Sequence, residues 1–128
     1  MTVYLGVEEV LRQLNREEWR FRRKHLSDGT TPLDIKSDKV KRGWKRTVQR
    51  VSVEVDTIGC SEIRIGYIDK LDVIDWHGGQ WRPQEGVLYT EEDPVVLQAG
   101  DRLLVRFIDS EDGNNLSIYA EGFEQEVA

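Results

Sequence analysis

The clearest hydrophobic pattern in the chain lies between Pro94 and Phe107, PVVLQAGDRLLVRF. Two apolar runs flank Gln98-Ala99-Gly100-Asp101, and Gly100-Asp101 is a turn signal. In the second run Leu103, Val105 and Phe107 alternate with Arg102, Leu104 and Arg106, the period-two signature of a half-buried strand. The same alternation begins at Thr47. Val51, Val53 and Val55 alternate with Arg50, Ser52 and Glu54, and after a turn at Thr57-Ile58-Gly59 so do Ile63, Ile65 and Tyr67 with Glu62, Arg64 and Gly66. Leu71 to Trp76 predicts a third strand and His77-Gly78-Gly79 a hairpin turn. Gln80-Trp81-Arg82 then starts a return that Pro83 keeps short or at an edge. Val87 to Tyr89, Val95 to Leu97 and Arg102 to Ile108 follow. After the turn-rich Asp109 to Asn115, Leu116, Ile118 and Ala120 alternate with Ser117 and Tyr119. Seven to eight evenly spaced short strands predict a mainly β chain, with an antiparallel β-sandwich or jelly-roll-like domain over residues 47–128.

The front of the chain reads differently. Val7, Leu11, Leu14 and Phe21 recur at helical spacing, with Glu8 and Glu9 at one end and Arg22, Arg23, Lys24 and His25 at the other. That order complements a helix dipole and predicts an N-terminal α-helix over 6–26. The helix should stop near Ser27-Asp28-Gly29. Residues 28–46 have no sustained period and carry a basic cluster around Trp44, which predicts an extended basic arm. The expected organisation is therefore a helix and arm over 1–46, then a sandwich over 47–128.

Length and composition narrow the class. With 128 residues one domain is expected. The single cysteine, Cys60, excludes an internal disulfide and is read as a small buried residue. No apolar run is long enough to span a bilayer as a helix, and the opening residues lack a signal-peptide pattern. The expected setting is the cytoplasm, or export only as part of an assembly. Charge is divided: residues 1–50 carry 13 Lys and Arg against 7 Asp and Glu, whereas residues 51–128 carry 5 against 17. Such a division is an interaction signal.

Three constellations bear on chemistry. Asp75-Trp76-His77 with Trp81 and Tyr89 could form a sugar-binding platform, since a ring face stacks on a pyranose while carboxylates bond its hydroxyls; a hairpin whose tryptophans cover the core edge explains the same residues. The acidic loop Asp109 to Asn115 has the oxygen density of a calcium site but not the spacing, so a solvated hairpin tip is the better reading. The two histidines, His25 and His77, belong to separate segments, and Cys60 has no partner at metal-ligand spacing. No nucleophile, base and oxyanion donor can be named together. A non-enzyme without metal or cofactor is expected.

The remaining constellation is the basic, aromatic-punctuated front of the chain. Trp19, Phe21 and Trp44 are expected as anchors for a partner, with Arg22, Arg23, Lys41, Arg42, Lys45 and Arg46 supplying charge complementarity. Nucleic acid is disfavoured by the net −12 of residues 51–128, which leaves an acidic protein surface, or the acidic half of a second copy. A basic helical arm, then an acidic sandwich with a GDRLLVRF strand and a closing NNLSIYAEGFE strand, resembles small accessory virion proteins of tailed bacteriophages. These include capsid cement or decoration proteins, head fibres, and neck or tail adaptors. The likeness spans Thr47 to Val127 and rests on layout. It implies a structural protein assembled into the virion in the host cytoplasm. Its arm would lie across the major capsid protein or another virion protein, with copies associating in the assembly. It transfers no functional residues one by one.

Overall fold

The computed structural model describes residues 16–56 and 60–127, which form nine strands in two antiparallel sheets. The strands are β1 (Glu17–Leu26), β2 (Leu33–Lys36), β3 (Trp44–Val55), β4 (Glu62–Ile68), β5 (Ile74–Trp81), β6 (Leu88–Glu91), β7 (Val95–Leu97), β8 (Arg102–Ile108) and β9 (Asn115–Glu126). Sheet A runs β1-β9-β3-β6, with β7 also on β3; sheet B runs β2-β8-β4-β5. Four rungs are nested: β1 with β9, β2 with β8, β3 with both β6 and β7, and β4 with β5. That is one long antiparallel hairpin, wrapped so that alternate rungs fall in alternate sheets. The wrap is closed by β3 on β9 and β4 on β8. The result is a jelly roll.

The alternation that marks these strands supplies the core. Val51, Val53 and Val55 of β3 and Leu116 and Ile118 of β9 face Ile63 and Ile65 of β4 and Leu103, Val105 and Phe107 of β8. Each such side chain contributes about 1.5–3 kcal/mol on leaving water. The predicted bounds of β7 and β8 coincide with the observed strands.

The front of the chain departs from expectation. Among the described residues there is no helix, and 17–26, predicted as the second half of one, is β1. It pairs with β9 without a break from Glu17↔Glu124 to Leu26↔Asn115. Trp19 and Phe21 turn inward while Arg20, Arg22 and Lys24 stay exposed, so ten residues serve a strand's period of two. The part of the predicted helix over 6–15, and the predicted turn at 57–59, lie outside the described residues. Residues 28–46 are not a free arm either. They contain β2, buried Ile35 and Val40, and backbone bonds from Ser37 N to Leu103 O (3.0 Å) and from Val40 N to Asp101 O (2.9 Å). The boundary drawn between residues 46 and 47 falls inside β3.

Two bulges set which side chains face which way. In β3 the register shifts between Val48 and Arg50. Gln49 is thus the extra residue, and Arg46 and Val48 point inward on one side of it, Val51 and Val53 on the other. In β5 the shift lies opposite Ile65/Gly66, so His77 is the extra residue and His77-Gly78-Gly79 is bulged strand rather than the predicted hairpin turn. These glycines answer to crowding: a Cβ on Gly79 would strike the carbonyl of Ile63, and one on Gly78 the carboxylate of Glu91. The reversal comes earlier, where Asp72 N bonds Asp69 O (3.0 Å) and the Asp69 side chain caps Leu71 N and Val73 N.

Candidate binding surfaces

The sequence-predicted partner residues divide between the interior and the surface. Trp19 is 6% exposed, and Phe21 and Trp44 are half-buried against the chain's own core. Arg46, offered as a surface charge, is fully buried. Its guanidinium stands 4.3 Å from the centroid of the Trp19 ring. Nη1 donates to Asp38 O (2.9 Å) and Nη2 to Asp38 Oδ2 (2.7 Å), with Glu124 Oε2 at 3.5 Å. Trp19 Nε1 donates to Asp38 Oδ1 (3.3 Å) and closes the cluster. A buried cation needs such partners, and these join β1, β3, β9 and the 37–43 loop. Lys41 and Arg42 are exposed on that loop, with the Lys41 ammonium 5.9 Å from the Trp44 ring; Lys45 is half-exposed.

Arg20, Arg22 and Lys24 stand on the outer face of sheet A, and the half-buried Tyr119 lies opposite Arg22. Arg50 of β3 reaches the same face and bonds Glu121 (3.2 Å) and Glu92 (3.5 Å). Arg20, Arg22 and Arg50 rim a shallow basin of about 250 Å³ with Tyr119 and Leu88. Arg16 extends the basic face, its guanidinium 3.3 Å above the Phe123 ring. Arg23 points to the other side of β1, 5.8 Å from the Phe21 ring.

The outer face of sheet B carries a different surface. Trp76 lies on Gly66, where a Cβ would come 2.7 Å from the indole Cε3. Arg106 and Arg64 hold their guanidinium carbons 5.1 and 5.8 Å from its ring centroid. Arg106 is clamped by Asp34 through two bonds (2.7 and 2.9 Å), which raises its already high pKa further; Arg64 pairs with Glu62. Trp81, opposite Glu62, is 63% exposed. Between the indoles runs an open groove of about 350 Å³ whose floor includes Gly79 and Arg64. Tyr89, grouped with these tryptophans on sequence grounds, instead packs against the core, and its hydroxyl accepts from Gln84 N (2.9 Å). Glu62, Arg64 and Arg106 escaped the sequence reading, although strand period places all three on the outer face of β4 and β8.

The other polar candidates are engaged in the fold. Asp109, in a left-handed conformation (φ 57°), accepts from Ser61 Oγ (2.7 Å) and Thr31 Oγ1 (3.3 Å). Cys60 is buried beside Glu62 O, and burial pushes its thiol up to about 11. His77 Nε2 lies 3.2 Å from Asp75 Oδ2 and its ring meets Tyr67 edge-on. Among the described residues no hydroxyl or thiol is bonded to His77, and no three His, Cys, Asp or Glu side chains gather as a metal site.

No protein-family model matches this sequence, and no curated protein is significantly similar to it. Among solved structures, the infectious bursal disease virus Gt strain structure aligns with 87% of this chain at 9% identity and a TM-score of 0.28. The Gx strain structure aligns with 88% at 7% identity and 0.26. The alignment spans 40% of either viral chain. This is a weak likeness to a viral structure, and scores this low establish no shared fold.

Proposed function

We propose that the chain is a non-enzymatic structural protein of a bacteriophage particle, of the capsid cement or decoration type. It attaches to acidic patches of the major capsid protein or another virion protein. The observation that carries this reading is the exposed row Arg20, Arg22 and Lys24, held rigid by ten residue pairs between β1 and β9. Residues 51–128 are strongly acidic, whereas this row sets three exposed cations on one strand, where an acidic subunit would meet complementary charge. The docking element is therefore the outer face of sheet A, with Lys41 and Arg42 beside it on the chain's surface, in place of a flexible arm. The jelly roll is consistent with this role because it recurs in viral capsid domains, although the fold also hosts other functions.

The test is co-sedimentation of the full chain with capsids of the phage that encodes it. Replacing Arg20, Arg22 and Lys24 together by Glu should weaken attachment at least tenfold and leave the melting temperature within a few degrees, since all three are solvated. Wild-type attachment should also weaken with salt. If the triple variant decorates capsids like the parent, this face is not the dock. If the parent never binds capsids, the virion assignment fails.

A further inference from the structure

We infer that the groove on the outer face of sheet B is a saccharide-binding site, with Trp76 and Trp81 as stacking platforms and Glu62 and Arg64 as hydroxyl partners. The inference begins with register. Residues 76 and 81 are five apart, and in a regular strand they would point to opposite faces. The extra residue at His77 removes that mismatch: Trp76 pairs with Gly66 and Trp81 with Glu62, both on the outer face of β4. The bulge thus turns two tryptophans to one side of an edge strand, about 13 Å apart along it at ~3.3 Å per residue.

The ground between them is bare. Gly79 lies opposite Arg64 and must stay side-chain-free, because a Cβ would strike the Ile63 carbonyl. The flanking polar groups are a guanidinium and a carboxylate already bonded to each other, so donors and acceptors are fixed in place. Trp81 has most of its surface in water, a cost the fold does not require of it.

The shape and charge select the ligand class. An open groove along a strand suits an extended ligand better than a compact apolar one, which needs deep enclosure. Stacked bases would fit the rings, but the arginines at the groove, Arg64 and Arg106, are already paired with Glu62 and Asp34, so phosphates would meet no uncompensated basic track there. A neutral chain of alternating apolar ring faces and hydroxyl edges meets no such penalty. This inference is independent of the capsid reading, which rests on the opposite sheet.

A microbial glycan array, followed by tryptophan-fluorescence titration with soluble chito- and xylo-oligosaccharides and any array hit, tests it on the full chain. The expected result is saturable binding to at least one saccharide, weakened tenfold or more by Trp81→Ala and by Arg64→Gln, and unchanged by Arg22→Glu on the other sheet. Trp81→Ala keeps the test valid should Trp76→Ala misfold. A blank array and flat titrations would overturn the inference, as would binding indifferent to Trp81. Loss of capsid attachment, rather than of saccharide binding, in Trp81→Ala would make the groove a protein dock and overturn it equally.

Discussion

Trp19 with Arg46 and Trp76 with Arg106 are the same chemical pair in opposite settings. In the first, the guanidinium is fully buried, 4.3 Å from the ring, and bonded to Asp38 and Glu124. In the second, the ring is 36% exposed and the guanidinium, 5.1 Å away, is clamped by Asp34 on the sheet surface. A cation over a ring is worth about 0.5–1 kcal/mol at the surface and ~2 or more where water is excluded. The buried pair therefore works as part of the frame, and the exposed pair is left free to meet something else. What separates them is the phase of the strand, set by a bulge in β3 for one and in β5 for the other.

The sharpest way to break that comparison is to delete residues 1–46, which a tether-plus-domain organisation would survive. Here the deletion removes β1, β2, the start of β3, buried Trp19, Ile35 and Val40, and the Arg46 cluster. The expected product has no cooperative thermal transition by circular dichroism. A dispersed amide spectrum and a sharp melt would show that the front of the chain is dispensable.

Single substitutions in the cluster come next. Trp19→Ala should cost about 3–5 kcal/mol. Arg46→Ala should cost a similar ~3–5 kcal/mol, because it leaves the largely buried Glu124 carboxylate without its cation. Arg46→Met, which fills the space but not the charge, separates the two contributions when combined with Glu124→Gln: urea midpoints of the double variant should recover a large part of the loss. Failure to recover any of it would mean that geometry, rather than charge, is what Arg46 supplies.

These residues also show where the sequence was legible. β7 and β8 could be bounded because their inward positions are apolar and their turns carry Gly100 or Pro94. β1 could not, because Trp19 and Phe21 with intervening arginines fit a helix end as well as a strand; the decision comes from β9, nearly a hundred residues away in sequence. Arg46 was assigned to the surface because arginine is rarely buried, and the acids that shelter it are distant in the chain. His77-Gly78-Gly79 has turn composition, yet its glycines answer to the Ile63 carbonyl and the Glu91 side chain, neither visible locally. Trp76 and Trp81 were found as aromatics, but their common face depends on the bulge.

Between core and surface effects lies a titration. Burial, with Glu91 as the lesser cause, pushes the Tyr67 hydroxyl up to about 12; burial pushes the Cys60 thiol up to about 11. Both groups hold their protons more tightly folded than unfolded. Their contribution is complete below about pH 9 and is lost as pH rises through 11 and 12, at most about 3 kcal/mol for each. Urea midpoints should be level to pH 9 and then fall, and Tyr67→Phe should flatten part of the slope. An unchanged slope in that variant would place the alkaline loss elsewhere.

The smallest effects belong to the exposed tryptophans, and they decide whether the groove is free. Trp76→Ala should cost about 1 kcal/mol, since one side of the indole covers Gly66. Trp81→Ala should stay within ~0.5 kcal/mol, because 63% of the side chain faces water and its neighbours across the strand, Glu62 and Arg64, are bonded to each other without it. Amide shifts should be confined to residues near Glu62, Gln80 and Arg82. A loss above 2 kcal/mol, or shifts reaching Val105 and Ile118 in the core, would make Trp81 a structural side chain like Trp19. The contrast between the two tryptophan settings would then reduce to one of degree.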